Sequence, residues 1–370
     1  MSRTQTGEND TASKPAKKSF REDVRDAVTK RTMLLMIGVL VLGLGFITSY
    51  VGAFHSPTPH RVPIAVVAPA QASARVVDEL NALPGQPLHA QPAASATDAR
   101  ALVGHGSTSA ALLVSGTGTT DSLLVATGGG AAVATAVETV IGNAEAAQHR
   151  SLTVADAIPA QTGDARGLSG FYLVVGWLVA GYIVAALLGI ASGQRATSGR
   201  RALIRLSLMA SYSILAGIGG ALIVGPLLGA LTGHVIALAA LGALLVFCAA
   251  SVTMAFQALA GIVGIGLTLL LFVILGNPSA GGAYSASMLP GFWRVIGGVI
   301  PNGAAVQAVR NIVYFGAHDV TGNLLVIAAW AFGGAIVAFG VAKLRAEGAR
   351  ERVPQAEGRA ATGLASEVGD

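Results

Sequence analysis

Cysteine is almost missing from this chain of 370 residues. Cys248 stands alone, so neither a disulfide framework nor a thiolate metal centre can be built. Charge is scarce too: Asp, Glu, Lys and Arg make up 12% of residues, against about a quarter in soluble domains. With 53% hydrophobic residues and a mean hydropathy of +0.64, an ordinary soluble domain is excluded. Charge is rarer still inside the long apolar runs at residues 33–53, 171–191, 206–224, 235–250, 259–275 and 323–342, which contain no Asp, Glu, Lys, Arg or His. Ion-coupled transporters and channels usually keep ionisable groups or interrupted helices at membrane depth, because a charge there is costly and is retained for function. The absence of such groups argues against ion-driven transport. A phosphate-binding loop of the form G-x-x-x-x-G-K-[ST] is also missing, since none of the five lysines follows a glycine. The chain therefore has no such motif with which to hydrolyse ATP.

What is present is a one-plus-five spacing of apolar segments. At about 1.5 Å per residue, some twenty helical residues cross the roughly 30 Å hydrocarbon layer, and lipid leaves backbone polar groups no partners except those within a helix. The expected fold class is an α-helical polytopic membrane protein with six transmembrane helices and a small extracytoplasmic α/β domain inserted after the first. Basic residues set its orientation. Eight precede the first run (Arg3, Lys14, Lys17, Lys18, Arg21, Arg25, Lys30, Arg31), four lie between the second and third (Arg195, Arg200, Arg201, Arg205), and five follow the last (Lys343, Arg345, Arg350, Arg352, Arg359). The positive-inside rule places both termini and the segment 194–205 in the cytoplasm of a cell-membrane protein. Small residues at Val51, Gly52 and Ala53 would suit signal cleavage, but the apolar run exceeds a signal peptide's core, which favours an uncleaved anchor.

Composition divides the chain further. Residues 1–18 read as a disordered cytoplasmic tail. Residues 19–32 read as an amphipathic helix on the inner membrane surface, with Phe20, Val24 and Val28 at i, i+4, i+8 spacing. Residues 33–53 form the first span and 54–169 the α/β domain, with strands expected at 64–67, 88–91, 110–114, 122–126 and 152–155 and helices at 72–83, 97–103 and 131–147. Residues 159–168 form a return linker. Residues 170–343 hold five spans, and 344–370 form a second cytoplasmic tail. Within 276–322, the stretch 289–315 is too short to span yet too apolar for a free loop. It predicts two short helices packed on the bundle, the second opening at Pro301.

Other signals favour plain readings. Thr127 and the three glycines after it lack dinucleotide spacing and read as a tight turn. His55, His60, His89, His105, His149, His234 and His318 have no close-spaced carboxylate or cysteine set and read as scattered surface histidines. Ser107, Ser109 and Ser115 lack a nucleophile-elbow motif. Gly225, Gly229 and Gly233 read as a turn around Pro226.

Over 277–322 the runs Leu289-Pro290-Gly291-Phe292-Trp293, Ile300-Pro301-Asn302, Ala308-Val309-Arg310-Asn311 and Tyr314-Phe315-Gly316 follow one another. With the helix before the first span and the four arginines, they make the chain resemble the type-2 permeases of ATP-binding-cassette exporters, in the branch with a large outward domain. The resemblance implies a half-transporter that pairs with a second permease subunit and with separate ATPase subunits, which carry ATP and magnesium. This chain itself would hold no cofactor and no catalytic residue. Phe20, Val24, Val28, Arg195, Arg200, Arg201 and Arg205 would then meet the ATPase. Pro290, Trp293, Arg294, Pro301, Asn302 and Arg310 would sit at the outer gate, unless Arg294 and Arg310 are simple interfacial anchors. Membrane lipid, and no nucleic acid, is the remaining expected partner; amphiphilic, drug-like or lipid-linked substrates would pass more easily than small ions. The layout is also similar to that of phage-infection-type membrane proteins, which keeps a non-transporting receptor, adhesion or secretion-accessory role open. Half-units of resistance-nodulation-division pumps share the spacing but would carry intramembrane acids.

Overall fold

A computed structural model of the chain describes residues 29–193, 195, 196 and 198–367, with side chains for these except Arg31 and residues 349–367. Phe20, Val24 and Val28, and the expected tail over 1–18, lie outside the described residues.

Helix α1 (Lys30–Phe54) starts at Thr29, whose hydroxyl accepts the Thr32 amide at 3.1 Å. It is apolar all round and largely exposed along its length, as a helix solvated by lipid should be. The α/β domain follows, with β1 (Val62–Val67), α2 (Ser73–Asn81), β2 (Leu88–Pro92), α3 (Ala96–Gly104), β3 (Ala110–Leu113), β4 (Thr120–Val125), α4 (Ala131–Ala147) and β5 (Ser151–Asp156). The sheet order is β2-β1-β3-β4-β5, parallel except for the β3–β4 pair. Strand β1 reads VPIAVV without alternation because both of its faces are covered. Val76 and Leu80 of α2 and Val133, Val137 and Ile141 of α4 pack on one face; Ala99 and Val103 of α3 pack on the other. Local signals set the boundaries. Ser95 caps α3 by accepting the Asp98 amide at 3.1 Å, and Gly85, at φ +80°, turns the chain after α2.

The bundle contains α5 (Ser169–Ser192), α6 (Gly199–Leu222, continued by a π-helical turn over Ile223–Leu227), α7 (Val235–Ala260) and α11 (Val320–Glu367). Together with α1, these give five helices long and apolar enough to cross a membrane. The remaining apolar segment forms the shorter helix α8 (Val263–Ser279), whose middle widens into π-helical geometry at Leu270–Gly276. Two short helices, α9 (Gly291–Gly297) and α10 (Pro301–Tyr314), fall where the sequence predicts them.

Helix α7 is the hub, packed by α5, α6 and α11. Without a hydrophobic force between helices in lipid, close packing and interhelical hydrogen bonds must hold them, so small residues line the crossings. At Gly217 of α6, a Cβ would fall inside 3.0 Å of the Ala239 carbonyl and the Ala243 amide of α7. Trp177 of α5 fills the slot left by Gly220 and Gly242 and donates its indole N–H to the Ala216 carbonyl at 3.2 Å. Ser251 ties α7 to α11 through the Ala331 carbonyl at 2.9 Å.

The arginine-rich segment 194–205 is not a loop throughout, because α6 begins at Gly199. Arg200 and Arg201 occupy its first turn and Arg205 its second. Arginine is a good helix former, and hydropathy alone sees a helix only where it becomes apolar.

Candidate functional site

The polar groups worth following lie where the α/β domain meets the bundle, around α8, α10 and the return segment after β5. Helix α8 needs help there. Pro278 has no N–H to give the Ile274 carbonyl four residues back, and the Ser49 hydroxyl of α1 donates to that carbonyl instead. Asn302, in the first turn of α10 and wholly buried, donates its amide to the Phe272 carbonyl at 2.8 Å and to Asn277 Oδ1 at 2.9 Å. The Asn302 side chain fits because Gly276 leaves no Cβ in its way. Its own Oδ1 is buried with no hydrogen-bond partner among the described residues. Side chains from two other helices thus serve the backbone where α8 widens. Replacing Asn302 by leucine is expected to strand the Phe272 carbonyl and Asn277 and to cost about 1–3 kcal/mol, seen as a lower thermal denaturation midpoint. Ser49→Ala should cost about 1 kcal/mol.

A second cluster latches the domain to α10. Arg310 is buried, 6% exposed, and donates to the Gly282 carbonyl at 2.9 Å. Burial pulls its guanidinium down to about 10 against the opposing field of the Asp164 carboxylate, so it remains a cation at neutral pH. Asp164, itself 3% exposed, accepts the Tyr314 hydroxyl at 2.7 Å and the Ser169 amide at the start of α5 at 2.8 Å. Burial first, and then the bond to Asp164, push the Tyr314 hydroxyl well above the usual phenol range. The ring of Tyr314 lies against Gly128 and that of Phe315 against Gly106 and Gly129, so the glycine-rich turn after β4 is the seat for the end of α10. Nearby, Gln161 accepts from the Thr232 amide at 2.7 Å and hydroxyl at 3.0 Å, which fixes the return segment to the turn between α6 and α7.

The bundle also completes the domain's core. Phe315 packs with Ala65, Ala99 and Val103 on one face of the sheet, and Met288 and Tyr284 join the cluster on the other. The His60 amide donates to the Ser287 carbonyl at 2.9 Å.

The residues singled out from sequence separate into three places. Asn302 and Arg310 belong to the two clusters just described. Pro290 is the exposed N-cap of α9; Trp293 is buried with Ala53 and Leu289; Pro301 is buried at the first position of α10. Arg294 donates to the Leu289 carbonyl at 3.2 Å, while its Nε is buried with no hydrogen-bond partner among the described residues. Arg310 is no interfacial anchor, because its head group is enclosed by protein. At the opposite end of the bundle Arg195, Arg200 and Arg201 are exposed, and Arg205 caps α5 through the Ser192 carbonyl at 2.6 Å. Sequence reasoning missed Asp164, Gln161, Asn277 and Ser49. Among the described residues no group of three or more His, Cys, Asp and Glu is placed to hold a metal ion.

Fold and junction together define a multi-pass α-helical membrane protein that carries a small α/β domain after its first helix. No protein-family model, curated protein or solved structure matches the chain.

Proposed function

We propose that the chain is the membrane-spanning permease subunit of an ATP-binding-cassette exporter. In this reading α8 is the sixth span, the α/β domain faces outward, and both termini lie in the cytoplasm. Two such subunits, identical or related, form the pathway, and separate ATPase subunits with their ATP and magnesium drive it. The observation that carries the reading is the interrupted helix α8. Widened turns and buried polar side chains are expensive in a membrane and are kept where a helix must rearrange or line a path. Here they lie next to α9, α10 and the latch to the domain, which suits an outer gate built on Pro290, Trp293, Arg294, Pro301, Asn302 and Arg310. An interrupted helix also occurs in ion-coupled transporters, so what separates this reading from theirs is the absence of ionisable groups inside the spans, which agrees with a motor located on another subunit and with an amphiphilic, drug-like or lipid-linked substrate.

The arginines support the same reading. Arg200 and Arg201 stand in the first turn of α6, where the helix dipole disfavours cations, so helix stability does not account for them. They supply the positive-inside signal and, with Arg195 and Arg205, a surface for an ATPase.

The test is whether a cassette ATPase co-purifies with the chain and, if so, reconstitution of the two in liposomes; the lack of any co-purifying ATPase counts against the proposal. The chain alone should not hydrolyse ATP, and the complex should do so. Reversing Arg200 and Arg201 to Glu, or replacing Val24 by Asp, should weaken both partner binding and hydrolysis. Orientation is checked first by labelling with an impermeant thiol reagent, to which the buried Cys248 is silent. A cysteine at Ser122 should react in whole cells and one at Ser198 should not. Hydrolysis by the isolated chain, the reverse labelling, or full coupling in both variants would overturn the proposal.

A further inference from the structure

Away from the junction, the α/β domain buries a pair of acids. Asp121 is the second residue of β4 and is 1% exposed. It accepts the Ser115 amide at 2.7 Å, Arg150 Nε at 2.7 Å and a second guanidinium nitrogen of Arg150. Glu145, in the last turn of α4, is 8% exposed, and its Oε2 has no hydrogen-bond partner among the described residues. That oxygen stands 3.4 Å from Arg150 Nε, which already serves Asp121. Beside the pair lies a cavity of about 60 Å³ lined by Val76, Leu80, Leu83, Leu112 and Val114, with Glu79 of α2 at its edge. Glu79 is 3.4 Å from Arg75, and both are largely exposed. The charged groups around the cavity are therefore three acids and one shared arginine, and the pocket cannot hold two buried anions as cheaply as one.

We propose that Asp121 and Glu145 hold one exchangeable proton between them, and that its loss frees the end of α4 from β4 and opens the cavity, which makes the α/β domain a pH-responsive element. Arg150 is the tie that would slip. It reaches the Ser115 carbonyl, Asp121 and Glu145, and its backbone amide is donated to the Glu145 carbonyl at 2.9 Å, so one side chain joins the β3–β4 turn, β4 and the end of α4. Burial, and then the neighbouring Asp121, push the Glu145 carboxyl up to about 7. Burial also works against the Asp121 charge, but the bonds from Arg150 and Ser115 overcome it and hold Asp121 below the usual range. Glu145 thus binds its proton more tightly when the corner is closed. Its stabilising contribution is complete below the ordinary glutamate range and is lost as pH rises through about 7.

The experiment is hydrogen exchange of the full chain in nanodiscs at pH 6 and pH 8, corrected for the intrinsic rate. Amides at 115–121 and 144–150 should open about tenfold more often at pH 8, while those of β1 and α3 should not change. Glu145→Gln should remove the pH dependence at both segments. Difference infrared spectra of the wild-type chain should show a protonated buried carboxyl at pH 6 that is gone at pH 8, assigned by ¹³C-labelled glutamate without need of any variant. Equal corrected exchange at the two pH values, persistence of the dependence in Glu145→Gln, or no such infrared band would overturn the proposal.

Discussion

Replacing Asp164 by alanine is expected to loosen the junction by about 2–4 kcal/mol, because two buried donors lose their acceptor and the nearby Arg310 cation loses an opposing field. Three effects coincide. Tyr314 and the Ser169 amide lose their acceptor, and the Arg310 cation, enclosed on all sides, keeps a single carbonyl at Gly282. Amide exchange over 161–170 should rise about a hundredfold, since each 1.4 kcal/mol is a factor of ten. Tyr314→Phe alone should cost only about 1 kcal/mol, as it removes one hydrogen bond and no charge. The informative variant is Asp164→Ala combined with Arg310→Met. If the unpaired cation is what destabilises, the double variant should be more stable than Asp164→Ala, because the second change removes the charge and leaves an apolar side chain of similar length. Strict additivity of the two changes would show that Asp164 and Arg310 do not act on each other.

The second large effect is expected within the bundle. Gly217→Leu places a side chain where α6 and α7 meet backbone to backbone, and no rotamer of a neighbour can relieve the overlap. The helices must separate, which removes the seat of Trp177 as well. The loss should reach or exceed the roughly 3 kcal/mol upper range for overpacked cores, and the purified protein should run as aggregate in size-exclusion chromatography. Gly219→Leu, two residues along the same helix, is the control. A Cβ at Gly219 meets nothing within 4 Å, so the change should be tolerated or slightly stabilising through helix propensity. Equal behaviour of the two variants would mean that the α6–α7 crossing does not depend on close backbone approach.

The elements of the α/β domain were largely legible because each ends on a local device. Helix α4 spans Ala131–Ala147 as the sequence predicts, Pro84-Gly85 follows the first helix of the domain and Ser95 caps the second. The long spans were legible for a different reason, since lipid admits few alternatives to a helix. Their ends were not. The cap at Ser198 and the arginines after it look like loop to any measure of hydropathy, and the π-helical widening of α8 leaves no mark in composition. The junction was half legible. Arg310 stood out by its position, but the acid of the same cluster did not, because Asp164 lies in a segment that reads only as linker and meets Tyr314 across 150 residues of sequence. Glu145 was invisible for the same reason: the end of a helix looks solvent-facing until Asp121 and Arg150 arrive beside it.

Phe315, Met288 and Tyr284, which complete the two faces of the sheet, also set an order of assembly. The ribosome delivers the whole α/β domain before any of the elements on which it sits. Whenever its strands pair, the apolar gaps on both faces stay open until synthesis has passed residue 315, and nothing holds the Asp164 carboxylate to Tyr314 before then. For that interval the domain is incompletely cored and available to proteases and chaperones. A chain truncated before α10 should therefore be cleared faster than the loss of one short helix would suggest, and the docking of Tyr314 and Phe315 is the step by which a finished molecule differs from an unfinished one.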